Sequence, residues 1–103
     1  MGLEISKKNE GGRVTLTLSG RIDTTTSSAL QSAVDACLDG TDVNAVDIDF
    51  AGVEHIASSG LRVLAATAER LEEAKAGFRI LNVNSIVREI FDMTGFSDIL
   101  TIV

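Results

Sequence analysis

The sequence predicts an α/β domain in which an N-terminal hairpin leads into βα units, giving a mixed, mostly parallel sheet with helices on one face. Three observations carry this prediction. Short apolar runs of strand period alternate along the chain with longer runs of helical period, which is the pattern of βα crossovers. Glycine, asparagine, serine and threonine mark the boundaries in a chain without proline. Finally, two strands alternate apolar with polar residues, whereas a sheet covered on both faces shows continuous apolar strands, so one face is expected to stay open to water.

Leu3 to Lys8 reads as an edge strand. Asn9-Glu10-Gly11-Gly12 turns the chain into a second strand, where Val14, Leu16 and Leu18 alternate with Arg13, Thr15 and Thr17. After Gly20-Arg21-Ile22-Asp23, the Thr24-Thr25-Thr26-Ser27 stretch offers several caps for a helix reaching about Asp39, with Gly40 as its stop. A strand from Ala45 to Phe50 follows, burying Val46, Ile48 and Phe50 and leaving Asp47 and Asp49 on the solvated face. The next helix begins after Ser58 and presents Leu61, Leu64, Ala65, Ala68 and Leu71 on one face, with Gly77 as its expected end. Arg62 and Arg70, with Glu69, Glu72 and Glu73, read as its solvated face, where Arg70 and Glu73 stand at i, i+3. Phe78 to Val83 reads as a strand, and Asn84 or Ser85 caps a helix carrying Ile86, Val87, Ile90 and Phe91. Gly95 ends that helix, with Phe96 placed to pack back on Phe91, and Ile99 to Val103 reads as a last strand.

With 103 residues and 45% of them hydrophobic, residues 1–103 are expected to form one domain with a core large enough to fold without disulfide or metal. The formal net charge of −6 disfavours phosphate backbones and anionic lipid, so neither nucleic acid nor membrane insertion is expected. A start of Met1-Gly2-Leu3-Glu4 is no signal peptide and no run is long enough to span a membrane, so the expected location is the cytoplasm. One histidine and one cysteine give no zinc-ligand set, and no cofactor is expected. Cys37 falls among Leu30, Ala33, Val34 and Leu38 at helical spacing, the position of a core thiol.

The richest stretch is Val53 to Leu61, where an apolar strand gives way to Ser58-Ser59-Gly60 and a helix. A serine there either caps the helix or, if phosphorylated, sits where free N–H groups and the helix dipole favour negative charge. A Ser-His-Asp hydrolase built from Ser58, His55 and Asp23 is disfavoured: there is no Gly-x-Ser-x-Gly elbow, and His55 precedes the serine on the same turn. Nor does any glycine pattern of a phosphate-cradling loop follow a strand. Asp23, after Gly20 at another strand-to-helix turn, belongs on the same sheet edge as Ser58, as a helix cap or a functional acid.

Three fragments in this order resemble a known family: Gly20-Arg21-Ile22-Asp23; Asp47 to Phe50 leading to Ser58-Ser59-Gly60-Leu61; and Phe91-Asp92-Met93-Thr94-Gly95-Phe96. Together they resemble the STAS domain of bacterial anti-sigma factor antagonists. The resemblance implies a non-enzymatic binding module with Ser58 as phospho-acceptor. It also implies an anti-sigma factor serine kinase and a PPM-type serine phosphatase as partners, the unphosphorylated form being the one that binds. Carried onto this chain, the partner-facing residues are Asp23, Thr24, Ser58, Ser59, Gly60 and Arg62. STAS domains also serve as accessory subunits of lipid-transport ABC systems and within signalling scaffolds, which is the alternative reading. One departure stands out: the family usually has Asp directly before the first serine, and here that residue is Ala57. If that carboxylate helps orient the hydroxyl or the kinase, its replacement by Ala57 implies slow or absent phosphorylation, and the protein would then be a constitutive binder.

Overall fold

The computed structural model describes residues 2–39 and 43–103. Its elements are β1 (Leu3–Glu10), β2 (Arg13–Ile22), α1 (Ser27–Leu38), β3 (Ala45–Ile56), α2 (Ser58–Glu73), β4 (Gly77–Leu81), α3 (Ser85–Thr94) and the short α4 (Phe96–Ile99). The sheet runs β1-β2-β3-β4, antiparallel across the hairpin and parallel from β2 to β4. Gly11 and Gly12 close the hairpin with φ of 60° and 90°, the two positive values that a tight two-residue turn requires.

One sheet face carries Val14, Leu16, Leu18, Val46, Ile48, Phe50 and Ile80, all buried under the helices with Leu30, Val34, Cys37, Leu64, Leu71, Val87 and Phe91. Phe50 and Phe91 meet edge-on with ring centroids 6.1 Å apart, fastening α3 to the middle of the sheet. The other face is open and carries Arg13, Thr15, Thr17, Asp49 and Arg79. Asp47 also lies on that face, yet it is only 3% exposed, contrary to the solvated position expected for it. Arg79, directly opposite on β4, forks onto both its oxygens at 2.7 and 3.0 Å, and Arg13 adds bonds of 3.0 and 3.2 Å. The Arg79 bonds above all hold its carboxyl below the ordinary range. A depressed carboxylate stabilises the fold above its unfolded-state pKa of about 3.9, and that contribution is lost as pH falls through the lower folded-state value.

Four expectations are corrected. β3 continues six residues beyond Phe50, to Ile56, because the register with β2 slips twice. Thr17 to Ser19 faces Asp49 to Gly52, and Gly20 to Arg21 faces Val53 to His55, so each slip gives β3 one extra residue and breaks the period-two pattern. α2 ends not at Gly77, which opens β4, but at Glu73 with Ala74 as its C-cap; Lys75, at a φ of 59°, follows, and the Lys75 and Ala76 N–H groups bond back to the Glu72 and Leu71 carbonyls. Arg70 pairs across to Asp35 on α1 rather than within its own helix. The expected last strand is α4 followed by a single parallel bridge from Ile102 to Ile80, because Gly95, at φ 82°, starts another turn of helix. Gly40, expected to stop α1, lies outside the described residues; the C-cap position is Asp39.

Candidate functional site

The parallel pairing of β2 and β3 ends at Ile22 and Ile56, so the turns that follow emerge side by side. Ala57 N–H donates to the Ile22 carbonyl at 2.8 Å and ties the two turns together. Asp23 and Ser58 are thereby brought to one edge of the sheet, at the carboxyl ends of parallel strands, where α/β folds place their sites.

The Asp23 turn is locked by its own side chain. Its Oδ1 accepts from Thr25 N–H at 3.0 Å, Thr26 N–H at 3.1 Å and the Thr25 hydroxyl at 2.7 Å. The Thr25 hydroxyl bond is the largest of the effects that lower the pKa of this half-buried carboxyl. Thr26 completes the lock: its hydroxyl donates to the Arg21 carbonyl at 2.8 Å and accepts from Asp23 N–H at 2.9 Å. Every bond to the Asp23 carboxylate among the described residues falls on Oδ1, which leaves Oδ2 turned to solvent. Thr24 is exposed at the tip of this turn. Thr25 and Thr26, expected only as candidate caps of α1, are the residues that fix the Asp23 side chain, and Asp-x-Thr-Thr is the spacing of a side chain folding back on its own turn. Gly20 is obligatory in this segment: its φ is +121°, and a Cβ there would lie 2.0 Å from the Gly2 carbonyl oxygen.

The Ser58 turn is built differently. Neither serine caps α2; the N-cap residue is Ala57, extended at φ −93° and ψ 172°, whose methyl group accepts nothing. Its carbonyl takes the N–H groups of Gly60 and Leu61 at 3.0 and 3.1 Å, while those of Ser58 and Ser59 have no protein partner among the described residues. Ser58, the first helical residue, is exposed. Ser59 turns inward, and its Oγ is buried without a hydrogen-bond partner. Gly60 is buried, and a Cβ on it would lie 2.4 Å from Ile22 Cγ2 and 2.8 Å from Ile56 Cγ1, so it lets the helix settle onto the ends of both strands. Arg62 is exposed one turn beyond Ser58 on the same helix face and makes no ion pair among the described residues. His55 is half-buried in β3, and the Asp23 carboxylate is engaged by Thr25 and Thr26, so the three residues of the hydrolase reading form no relay.

A mixed, mostly parallel sheet with helices on one face and an exposed serine opening a helix at the carboxyl ends of its parallel strands makes this an α/β domain with its site at a strand-to-helix turn. The STAS domain matches residues 4–103, and the chain belongs to that family. It is 28% identical over 93 residues to the anti-sigma-F factor antagonist RsfB of Mycobacterium tuberculosis (strain CDC 1551 / Oshkosh), covering 90% of this chain and 75% of that protein. Among solved structures, an anti-sigma factor antagonist from Mycobacterium paratuberculosis superposes with a TM-score of 0.88 at 29% identity, covering 98% of this chain and 85% of that one. The antagonist SpoIIAA in its unphosphorylated form, at 17% identity and a TM-score of 0.84, covers 97% of this chain and 88% of its own and shares the fold.

Proposed function

We propose that this protein is an anti-sigma factor antagonist whose binding to an anti-sigma factor is switched by phosphorylation of Ser58. The observation that carries the reading is the exposed Ser58 at an uncapped helix start, beside the locked Asp23 turn. The relatives named as anti-sigma factor antagonists support it. Asp23, Thr24, Ser58 and Arg62 present side chains to the partner; Ser59 and Gly60 shape the turn that displays them. The kinase is the anti-sigma factor itself, a serine phosphatase of the PPM type restores the free hydroxyl, and the exchange takes place in the cytoplasm.

The physics of the switch follows from the two turns. A phosphate adds about −1.5 to −2 charges, and the two free N–H groups and the helix dipole stabilise it locally by only about 0.3–1 kcal/mol. Against a desolvated or acidic partner surface the same charge costs several kcal/mol, so binding switches while the fold stays intact. To test this, wild type, Ser58→Ala and Ser58→Asp serve as baits in a lysate of the source organism, with the wild type's phosphate mapped by mass spectrometry after incubation with the captured partner and ATP. A serine kinase with a histidine-kinase-like ATPase fold, retained by wild type and Ser58→Ala and lost by Ser58→Asp, is the expected result. Equal capture by all baits, a membrane permease with its ATPase, or a phosphate on Ser59 or a threonine overturns it.

A further inference from the structure

We infer that β1 is a self-association edge, on which a second copy of this chain docks antiparallel and joins the two four-stranded sheets into one. β1 is eight residues long and terminal in the sheet, and no described residue bonds to its outer side. The phase of that side follows from the hairpin. A two-residue turn makes Glu10 and Arg13 a hydrogen-bonded pair, so even-numbered residues of β1 bond to β2. The bond from Arg21 N–H to the Gly2 carbonyl, 2.8 Å, has the same phase. Leu3, Ile5, Lys7 and Asn9 therefore direct their N–H and C=O groups outward, an unused ladder of the kind that recruits another strand.

Charge selects the occupant and its register. On the open face β1 carries Glu4, Ser6, Lys8 and Glu10, opposite Ser19, Thr17, Thr15 and Arg13. With a two-fold axis at Ser6, Glu4 of each copy faces Lys8 of the other, Ser6 faces Ser6, and the outward groups of Ile5 meet those of Lys7. Moving the axis to Lys7 sets Lys7 against Lys7 and Glu4 against Glu10, which repel. Moving it to Ile5 shortens the overlap and leaves Lys8 unpaired. One register thus combines opposite charges with the longest ladder, so β1 is complementary to itself. Within one chain, among the described residues, Lys8 pairs only with Glu10, at 3.6 Å with both side chains about three-quarters exposed, a weak contact that is readily exchanged. In this arrangement the Ser58 edges of the two copies point to opposite ends of the joined sheet, so association leaves the switch accessible.

Sedimentation equilibrium on the intact protein tests the inference. A contact of one strand against another falls at the small end of interface sizes, so a reversible dimer is expected with a dissociation constant of roughly tens to hundreds of micromolar, weakening with salt. Lys8→Glu replaces both attractive pairs by repulsive ones and is expected to raise that constant about tenfold or more, and Glu4→Lys with Lys8→Glu to restore it. Lys7→Pro removes an outward N–H without touching the bonds to β2 and is expected to leave a monomer; circular dichroism checks its fold, and the charge variants decide the matter should it not fold. A wild type that stays monomeric at about 1 mM, ten times the geometric middle of that range, overturns the inference. So does a dimer indifferent to Lys8→Glu, a swap that fails to restore association, or a dimer that survives in folded Lys7→Pro.

Discussion

The helix after β4 and the helix after β3 start in the same way along the chain and differ in what closes their first turn. At the start of α3, the Asn84 side chain accepts Val87 N–H at 2.8 Å and donates to the Val53 carbonyl at 2.9 Å, so one residue caps the helix and stitches it to β3. α1 is tied down too, by the Asp23 carboxylate and the Thr26 hydroxyl. At the start of α2 the corresponding place holds Ala57, and the first turn is left with free N–H groups and an inward serine hydroxyl without a partner. Side-chain caps on the Ser/Thr/Asp/Asn pattern contribute about 1 kcal/mol, so a start without one is a stability forgone at the helix that opens on Ser58. What holds α2 in place instead is packing: Gly60 and Leu61 buried on the ends of β2 and β3.

The largest effect is expected from overfilling that contact. Gly60→Val puts branched carbon where even a Cβ is 2.4 Å from Ile22, and overpacking of this kind costs about 1–3 kcal/mol, here toward the upper end. For a chain of this size each kcal/mol lowers Tm by roughly 4–8 °C, so a drop of more than 10 °C in a thermal melt is the expected reading. An unchanged Tm would show that α2 is not seated by this glycine. Asn84→Ala comes next. It loses a cap and leaves the Val53 carbonyl without its donor, about 1–2 kcal/mol, read as faster amide exchange in the first turn of α3 with α2 unaffected. If α2 loosened equally, the two starts would be coupled and the contrast between them would fail.

That contrast was only partly legible in the sequence. The glycine turn, the helical faces around Leu30 and Leu64, the neighbouring positions of Asp23 and Ser58 and the cap at Asn84 all rest on local spacing, and they stand in the structure. What escaped depends on partners far along the chain. Asp47 is covered by Arg13 and Arg79, 34 and 32 residues away, which no alternation pattern records. The Arg70 partner, Asp35, sits on another helix. The slips that carry β3 on to Ile56 are a matter of how it pairs with β2, and Ala51-Gly52 reads locally as the end of a strand. The C-terminal residues Ile99 to Val103 are apolar enough for a strand, but the left-handed Gly95 sends the chain into α4 first and leaves length for one bridge. At the candidate site, the residue that caps α2 was expected to be a serine because serines are good caps. The structure puts both serines inside the helix and Ala57 at the cap.

Ala57→Asp therefore has the smallest effect on stability and the sharpest consequence for the comparison. Ala57 already has the extended backbone of an N-cap, so a carboxylate there can accept the free N–H of Ser59 without moving the chain and is expected to stabilise the protein by about 0.5–1 kcal/mol at neutral pH, measured by urea unfolding. Bonds from backbone N–H groups lower a carboxyl pKa, so the gain is present above the unfolded-state value near 3.9 and lost as pH falls through the lower folded-state value; it should vanish by about pH 3. No gain at pH 7 would mean that the open turn is already satisfied by water at no cost. The same substitution places a negative charge next to the Ser58 hydroxyl. If that carboxylate orients the hydroxyl or the kinase, the initial rate of Ser58 phosphorylation rises at every salt concentration. If it acts as a like charge against an acidic partner surface, affinity falls at low salt and recovers as screening increases. A stabilised protein with unchanged rate and affinity would assign the residue before Ser58 to capping alone, and would make the open start of α2 a tolerated loss of stability with no part in the switch.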